Sequence, residues 1–219
     1  MSGMALIGAA AFFWAAWLLM PGVGVTDARE IFELVGSRRG AVLASVVLQL
    51  VSAVLYVPAL LGLAATRTAL RRPAVKWGAT LLIVGAMGSA ADAVLHLLAY
   101  AMTAPDVDRA AVAPVMAFMQ GPGLMLLGPL LVSFFVGGAL LSFALAAEGV
   151  VSRWSPRLQM IGLAVAIAGG GLASAGWLSA RFVGLATLAA FSAAQALVGQ
   201  ACRGPDTQGV RLKPVTTSK

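Results

Sequence analysis

The sequence predicts an all-α polytopic membrane protein with six transmembrane helices and two short outer surface segments. Three observations carry that prediction. Of the 219 residues, 60% are hydrophobic and only 11% are charged, whereas a soluble domain runs near 45–50% apolar and about 25% charged. The charges cluster between apolar blocks that reach the roughly 20 helical residues needed to cross a bilayer. No Lys or Arg lies in the interior of any such block.

These numbers exclude a cytosolic enzyme, a disordered regulator and a disulfide-built secreted domain. Cys202 is the only cysteine, so no internal disulfide and no multi-cysteine metal site is available. His96 is the only histidine, which rules out bis-histidine haem ligation within one chain. In a soluble protein a net charge of +7 would suggest nucleic acid. Here the basic residues occupy short loops and the tail, as membrane orientation requires, so no nucleic-acid partner is expected.

The first block covers residues 4–25, with Pro21 and Gly22 near its outer end. It lacks the basic region of a signal peptide and is read as a retained span. Asp27 and Glu30 then stand at capping-box spacing. Ala28, Ile31, Leu34 and Val35 share one helical face, which predicts a short amphipathic helix at the membrane surface. The second span covers about 40–66, with Pro58 inside it, and the third about 76–103. In 104–123, Pro105 suits a first helical turn, and Asp106 and Asp108 suit its positive end. Pro114 and the run Gly121-Pro122-Gly123 interrupt anything longer, so a second surface or partly re-entrant segment is expected before a fourth span at 124–147. The fifth and sixth spans cover about 158–178 and 182–202, joined by Ser179, Ala180 and Arg181 in a tight hairpin. Residues 1–202 thus form one six-helix domain, and 203–219 a flexible basic cytoplasmic tail.

Helices already inserted in lipid gain nothing further from the hydrophobic effect by meeting, so close backbone approach must hold them together. Gly162, Ala166 and Gly170 recur at four-residue steps, and Gly184 and Gly199 offer a matching surface on the sixth span. With the N-terminus inside, the cytoplasmic segments hold ten of the 15 Lys/Arg. The positive-inside rule therefore puts both termini in the cytoplasm.

Asp92 is the most informative residue. It lies 16 residues after Lys76 and 14 before Asp106, deep in the third span. An ionised Asp at a helix centre costs roughly 2.5–3.5 kcal/mol on insertion scales, and such residues are functional-site hypotheses by default. His96 follows at i+4 on the same face, with Ser89 and Gly85 to one side and Tyr100 and Thr103 to the other. On the second span Ser45, Gln49, Ser52 and Tyr56 form a polar stripe at matching depth. One of Gln49, Ser52 and Tyr56 is expected to reach the Asp92/His96 pair. The sixth span adds Thr187, Ser192 and Gln195, and the fourth Ser133 and Ser142.

The leading function from sequence is a non-enzymatic membrane protein that binds an apolar or amphipathic small molecule, or a partner subunit, with Asp92 and His96 as polar anchors. Its partners are then the lipid bilayer, a lipid or other apolar ligand, and a second copy or another membrane subunit. The alternative is a small proton-coupled transporter using Asp92. Against it, Pro58 and Gly121–Gly123 are poor counterparts to the broken helices of carriers. A third class is a haem or copper redox protein using His96 with Met102, Met116 and Met119, since imidazole and thioether ligands suit those metals. The sequence names no cofactor. A lipid-directed enzyme stays open, but no nucleophile–base pair is visible and H-E-x-x-H, G-x-S-x-G and P-loop motifs are absent.

Several features recur together: a first span followed by an amphipathic segment, Arg39-Gly40 opening a long second span, Ser155-Pro156-Arg157-Leu158 leading into the fifth, then Ile161-Gly162-Leu163 and the glycines 169–171. In this layout the chain resembles the uncharacterised bacterial six-span membrane proteins grouped as DUF4386, over about residues 4–200. The resemblance implies a six-span bundle and brings no activity or catalytic residues with it.

Overall fold

Six apolar helical stretches, each long enough to cross a membrane, dominate the computed structural model, which describes residues 2–25, 27–65 and 72–203. The flexible tail expected beyond Arg203, and Arg67 and Arg71 of the second connection, lie outside those residues. In chain order the elements are α1 (Ser2–Leu19), α2 (Ala28–Ser37), α3 (Arg39–Ala64) and α4 (Pro73–Met102). They are followed by α5 (Arg109–Phe118), a π-helical turn (Met119–Gly123), α6 (Leu124–Ala147) and α7 (Trp154–Ala164). A second π turn (Val165–Gly169), α8 (Gly170–Ser174) and α9 (Ala180–Ala201) complete the order, and no strand occurs among the described residues. The chain is an all-α multi-pass membrane protein.

The helices form a closed ring in the order α1, α3, α4, α6, α7, α9, returning to α1. Glycines set the close contacts. A Cβ on Gly78 would stand 2.7 Å from Leu141 N, and one on Gly137 would stand 2.5 Å from Leu82 N, so α4 and α6 pack backbone to backbone. A Cβ on Gly199 would stand 2.7 Å from Gly3 O, which joins α9 to α1 in the same way. The thinnest seam of the ring is between α6 and α7. Aromatic rings fill the centre: Phe134 lies 4.9 Å from both Phe13 and Phe191 and 5.1 Å from Tyr56, centroid to centroid.

The short segments follow from their caps. Asp27 accepts from the Arg29 and Glu30 amides and starts α2, which buries Ile31, Phe32 and Val35. Phe32 joins the buried face that sequence periodicity assigned to Ala28, Ile31, Leu34 and Val35. On the third connection Asp108, not Pro105, begins the helix, because its carboxylate accepts from the Ala110 amide.

Two expectations are corrected here. Gly121-Pro122-Gly123 does not break the helix: Arg109–Ala147 runs on for 39 residues through the π turn. A π turn pairs residues five apart, so the carbonyl that Pro122 cannot serve comes within reach of the next amide. At about 1.5 Å per residue this stretch is far longer than a hydrocarbon core of about 30 Å, and α5 is the part that extends to the surface. In the hairpin, Gly162 does meet α9, at Thr187 O and the Ala190 Cβ. Gly169, not Gly170, makes the next contact, at Val183, while Gly184 and Gly199 face Val23 and the start of α1. The fifth span ends at Ser174, and residues 175–179 turn through Gly176 at φ +78°.

Both described ends lie on one face of the bundle, where Arg72 pairs with Glu148. On the opposite face arginines cap helix ends. Arg181 donates to Leu18 O at 3.1 Å, Met20 O at 3.1 Å and Pro21 O at 2.8 Å. Arg39 donates to Tyr100 O and to Thr103 Oγ1, both at 2.8 Å, and lies 3.9 Å over the Tyr100 ring.

Candidate functional site

The third span carries the site. Ser89, Asp92 and His96 follow one face of α4 at steps of three and four. Asp92 is ten residues before Met102, about 15 Å down the helix from that end. It is 6% exposed. His96 Nδ1 approaches Asp92 Oδ2 to 3.5 Å, the i,i+4 contact expected from spacing. That distance is too long for a good hydrogen bond, and neither atom has a hydrogen-bond partner among the described residues.

Trp17 of α1 completes the group. Its ring stands edge-on to His96, with centroids 5.7 Å apart at 84°, and its buried Nε1 also lacks a partner. Trp17 is held there by α3: Ser45 donates to Ala16 O at 2.7 Å and Ser52 to Ala9 O at 2.8 Å, pinning α1 along its length. No sequence signal singled Trp17 out, because Trp14 on the same apolar helix looks equivalent until the helix is packed.

Asp92, His96 and Trp17 line a cavity of about 160 Å³ on the face away from the chain ends. Ile31 and Val35 of α2 roof it, and Met20, residues 22–25, Met119 and Gln120 close its sides. Apart from the three polar groups the wall is largely apolar. A buried donor or acceptor left without a hydrogen bond costs about 1–3 kcal/mol, so these three atoms, like those of Gln49 and Tyr56 on α3, mark places where packing alone is not optimised.

A second, larger cavity of about 740 Å³ opens between α6, the second half of the fifth span (residues 166–174) and α9. Phe13, Leu131, Phe134, Phe135, Val183 and Leu188 make it apolar, and Ser89 and Thr187 are also on its wall. Neither hydroxyl has a hydrogen-bond partner among the described residues.

The rest of the polar stripe on α3 does not join the pair. Ser45 and Ser52 satisfy α1 carbonyls. Gln49 and Tyr56 are buried with their polar side-chain atoms unpartnered, and no hydrogen bond links Gln49, Ser52 or Tyr56 to Asp92 or His96. The methionines gather elsewhere. Met102, Met116 and Met119 are buried with Met20, Ile31 and Phe32 beneath α2, and of the three candidate ligands Met119 alone lines the cavity with His96. Met125 is 80% exposed. Among the described residues no three His, Cys, Asp or Glu side chains group as metal ligands.

No family model, curated protein or solved structure matches the chain.

A separate polar cluster ties α6, α7 and α9 near the chain ends. Ser155 Oγ lies 3.0 Å from Ser142 Oγ and 3.1 Å from Ala194 O. A carbonyl only accepts, so Ser155 donates to Ala194 and accepts from Ser142. This closes the α6/α7 seam at one end and leaves the other end open at the cleft. Ser133 donates to Pro129 O within α6, and Ser192 and Gln195 are buried without partners.

Proposed function

We propose that the protein is a non-enzymatic integral membrane protein that binds an amphipathic small molecule, with Asp92 and His96 as its polar anchors. The observation that carries this reading is that Asp92, His96 and Trp17, whose buried Oδ2, Nδ1 and Nε1 have no hydrogen-bond partner among the described residues, line one largely apolar cavity. Ligand sites have this composition: an apolar wall with a few convergent polar groups. The likeness to DUF4386 proteins belongs to the same reading and supplies no competing chemistry.

Mass spectrometry of the gently purified protein tests it. A co-purifying amphiphile is expected with the native chain and is expected to be lost when Asp92→Leu and His96→Phe are combined. Retention of the same molecule by a folded double variant overturns the reading.

We further propose that both termini are cytoplasmic, on the support of the Lys/Arg distribution, and that the membrane is a bacterial inner membrane, on the support of the likeness to DUF4386 proteins. Cys202 reports on this. It caps α9 just outside the span, and burial pushes its thiol up to about 11. The thiolate is the reactive form, so a membrane-permeant maleimide is expected to react slowly at neutral pH. The rate is expected to rise by about tenfold per pH unit below that value. An impermeant maleimide added to intact cells is expected to leave Cys202 unmodified, and rapid outside labelling would reverse the orientation.

A further inference from the structure

Size separates the two cavities. Sites for small molecules run roughly 300–1,000 Å³. The cavity at Asp92 is about 160 Å³, too small for a whole amphiphile, whereas the cleft between α6 and the second half of the fifth span is about 740 Å³. The two are neighbours: Trp17 and Gly24 line both. They are also joined along one helix, because Asp92 lines the small cavity and Ser89, three residues earlier on the same face of α4, lines the cleft. Ser89 is 4% exposed and its hydroxyl is unpartnered.

The cleft faces the bilayer. It lies between α6 and the second half of the fifth span, beyond the thin α6/α7 contact, and Ile167, Trp177 and Phe182 beside it are among the most exposed apolar residues of the chain. A hydrocarbon chain already in the membrane reaches such a cleft without crossing water. The polar end would then meet an acidic acceptor, Asp92, with no Lys or Arg among the residues lining either cavity. That favours a head that donates hydrogen bonds.

We propose that the cleft holds the hydrocarbon chain of a long-chain amphiphile whose hydrogen-bond-donating head sits at Asp92. The molecule enters sideways from the bilayer between α6 and the fifth span. This rests on the binding role proposed above for Asp92 and His96, and adds the class of ligand and its route.

Gly170 gives a clean test. It lines the cleft, and a Cβ there meets nothing within 4 Å, so Gly170→Leu adds bulk to open space on the cleft wall and favours helix. The full-length protein in phosphatidylcholine nanodiscs is photolabelled with octadecylamine carrying a mid-chain diazirine, and separately with a diazirine-bearing hexylamine. Modified residues are mapped by mass spectrometry, and folding of each variant is checked by its thermal transition. The long probe is expected to label Leu131, Phe135, Val183 or Leu188, and excess octadecylamine is expected to suppress it. Gly170→Leu is expected to reduce that labelling by about tenfold, equivalent to one decade in affinity, while the short probe still labels beside Asp92. Asp92→Asn is expected to reduce both. If the short probe depends on Asp92 but the long probe ignores Gly170→Leu, the cleft proposal is overturned and the anchoring role stands. If neither probe depends on Asp92, both fall.

Discussion

Gly85→Leu is expected to be the most damaging single substitution in the membrane domain. Gly85 faces the backbone of Phe134, and even a Cβ there would overlap Phe134 N, Cα and Cβ. Backbone atoms cannot rotate aside as a side chain does, so α4 and α6 must separate. Overpacking of a tight core costs typically 1–3 kcal/mol and occasionally more. A loss of about 3 kcal/mol or greater is expected here, because the α4/α6 interface is the most extensive in the protein. Equilibrium unfolding in mixed SDS micelles measures it. Gly170→Leu is the matched control, since nothing surrounds that position within 4 Å. Equal stability of the two variants would mean that α4 and α6 do not meet through Gly85. Gly85 is also two turns from Asp92 on the same helix, so the damage is expected to extend to ligand retention.

Arg181→Met is expected to have the second largest effect. The guanidinium donates to three carbonyls at the end of α1, those of Leu18, Met20 and Pro21. The last carbonyls of a helix have no partner within it. Met keeps the length and apolar stem of the side chain but donates nothing. Hydrogen bonds to a charged group contribute about 1.5–3 kcal/mol, and a loss of roughly 2 kcal/mol is expected, since Arg181 is only partly buried and water recovers part of the contact. Hydrogen exchange at residues 18–25 is expected to accelerate more than elsewhere, because these carbonyls hold the turn that forms one side of the Asp92 cavity. An unchanged exchange pattern would show that the turn does not depend on Arg181. Arg181→Lys is expected to fall between, since a single ammonium cannot reproduce the planar fork.

The six spans were legible in the sequence because lipid imposes a length and a polarity that few other environments demand. Apolar blocks separated by charges identify them almost without reference to packing. The contact between Asp92 and His96 was equally legible, since four-residue spacing on a helix is local geometry. Span ends were harder. Asp108 takes the cap that Pro105 seemed to mark, and the π turn at Met119–Gly123 carries the helix through a Pro that reads as a stop. Both outcomes depend on which hydrogen bonds the folded chain completes. The partners of the site were not legible. Trp17 reaches His96 because Ser45 and Ser52 draw α1 against α3, although Ser52 is one of the three residues that spacing had aimed at the Asp92/His96 pair. The methionines looked like ligands in a row and became the packing beneath α2.

Arg39 and Arg181 also bear on charge counting. Both lie on the face opposite the chain ends, where basic residues are the minority. Each is bound to carbonyls at a helix terminus, where a cation is favoured by the local dipole. Their placement follows from folding and does not weaken the orientation argument.

The π turn in the fourth span amounts to one residue more than a regular helix would hold. Loss of a single residue between Met119 and Gly123 would close the segment into regular winding and leave the helix on either side near its present register. In a regular part of any span the same loss would turn everything to one side of it by about 100° and carry its packing face off its neighbours. Met119 and Gln120, which wall the cavity beside Asp92 from within the turn itself, are the side chains that would move, so a one-residue deletion here is expected to be borne by the bundle and felt by the cavity.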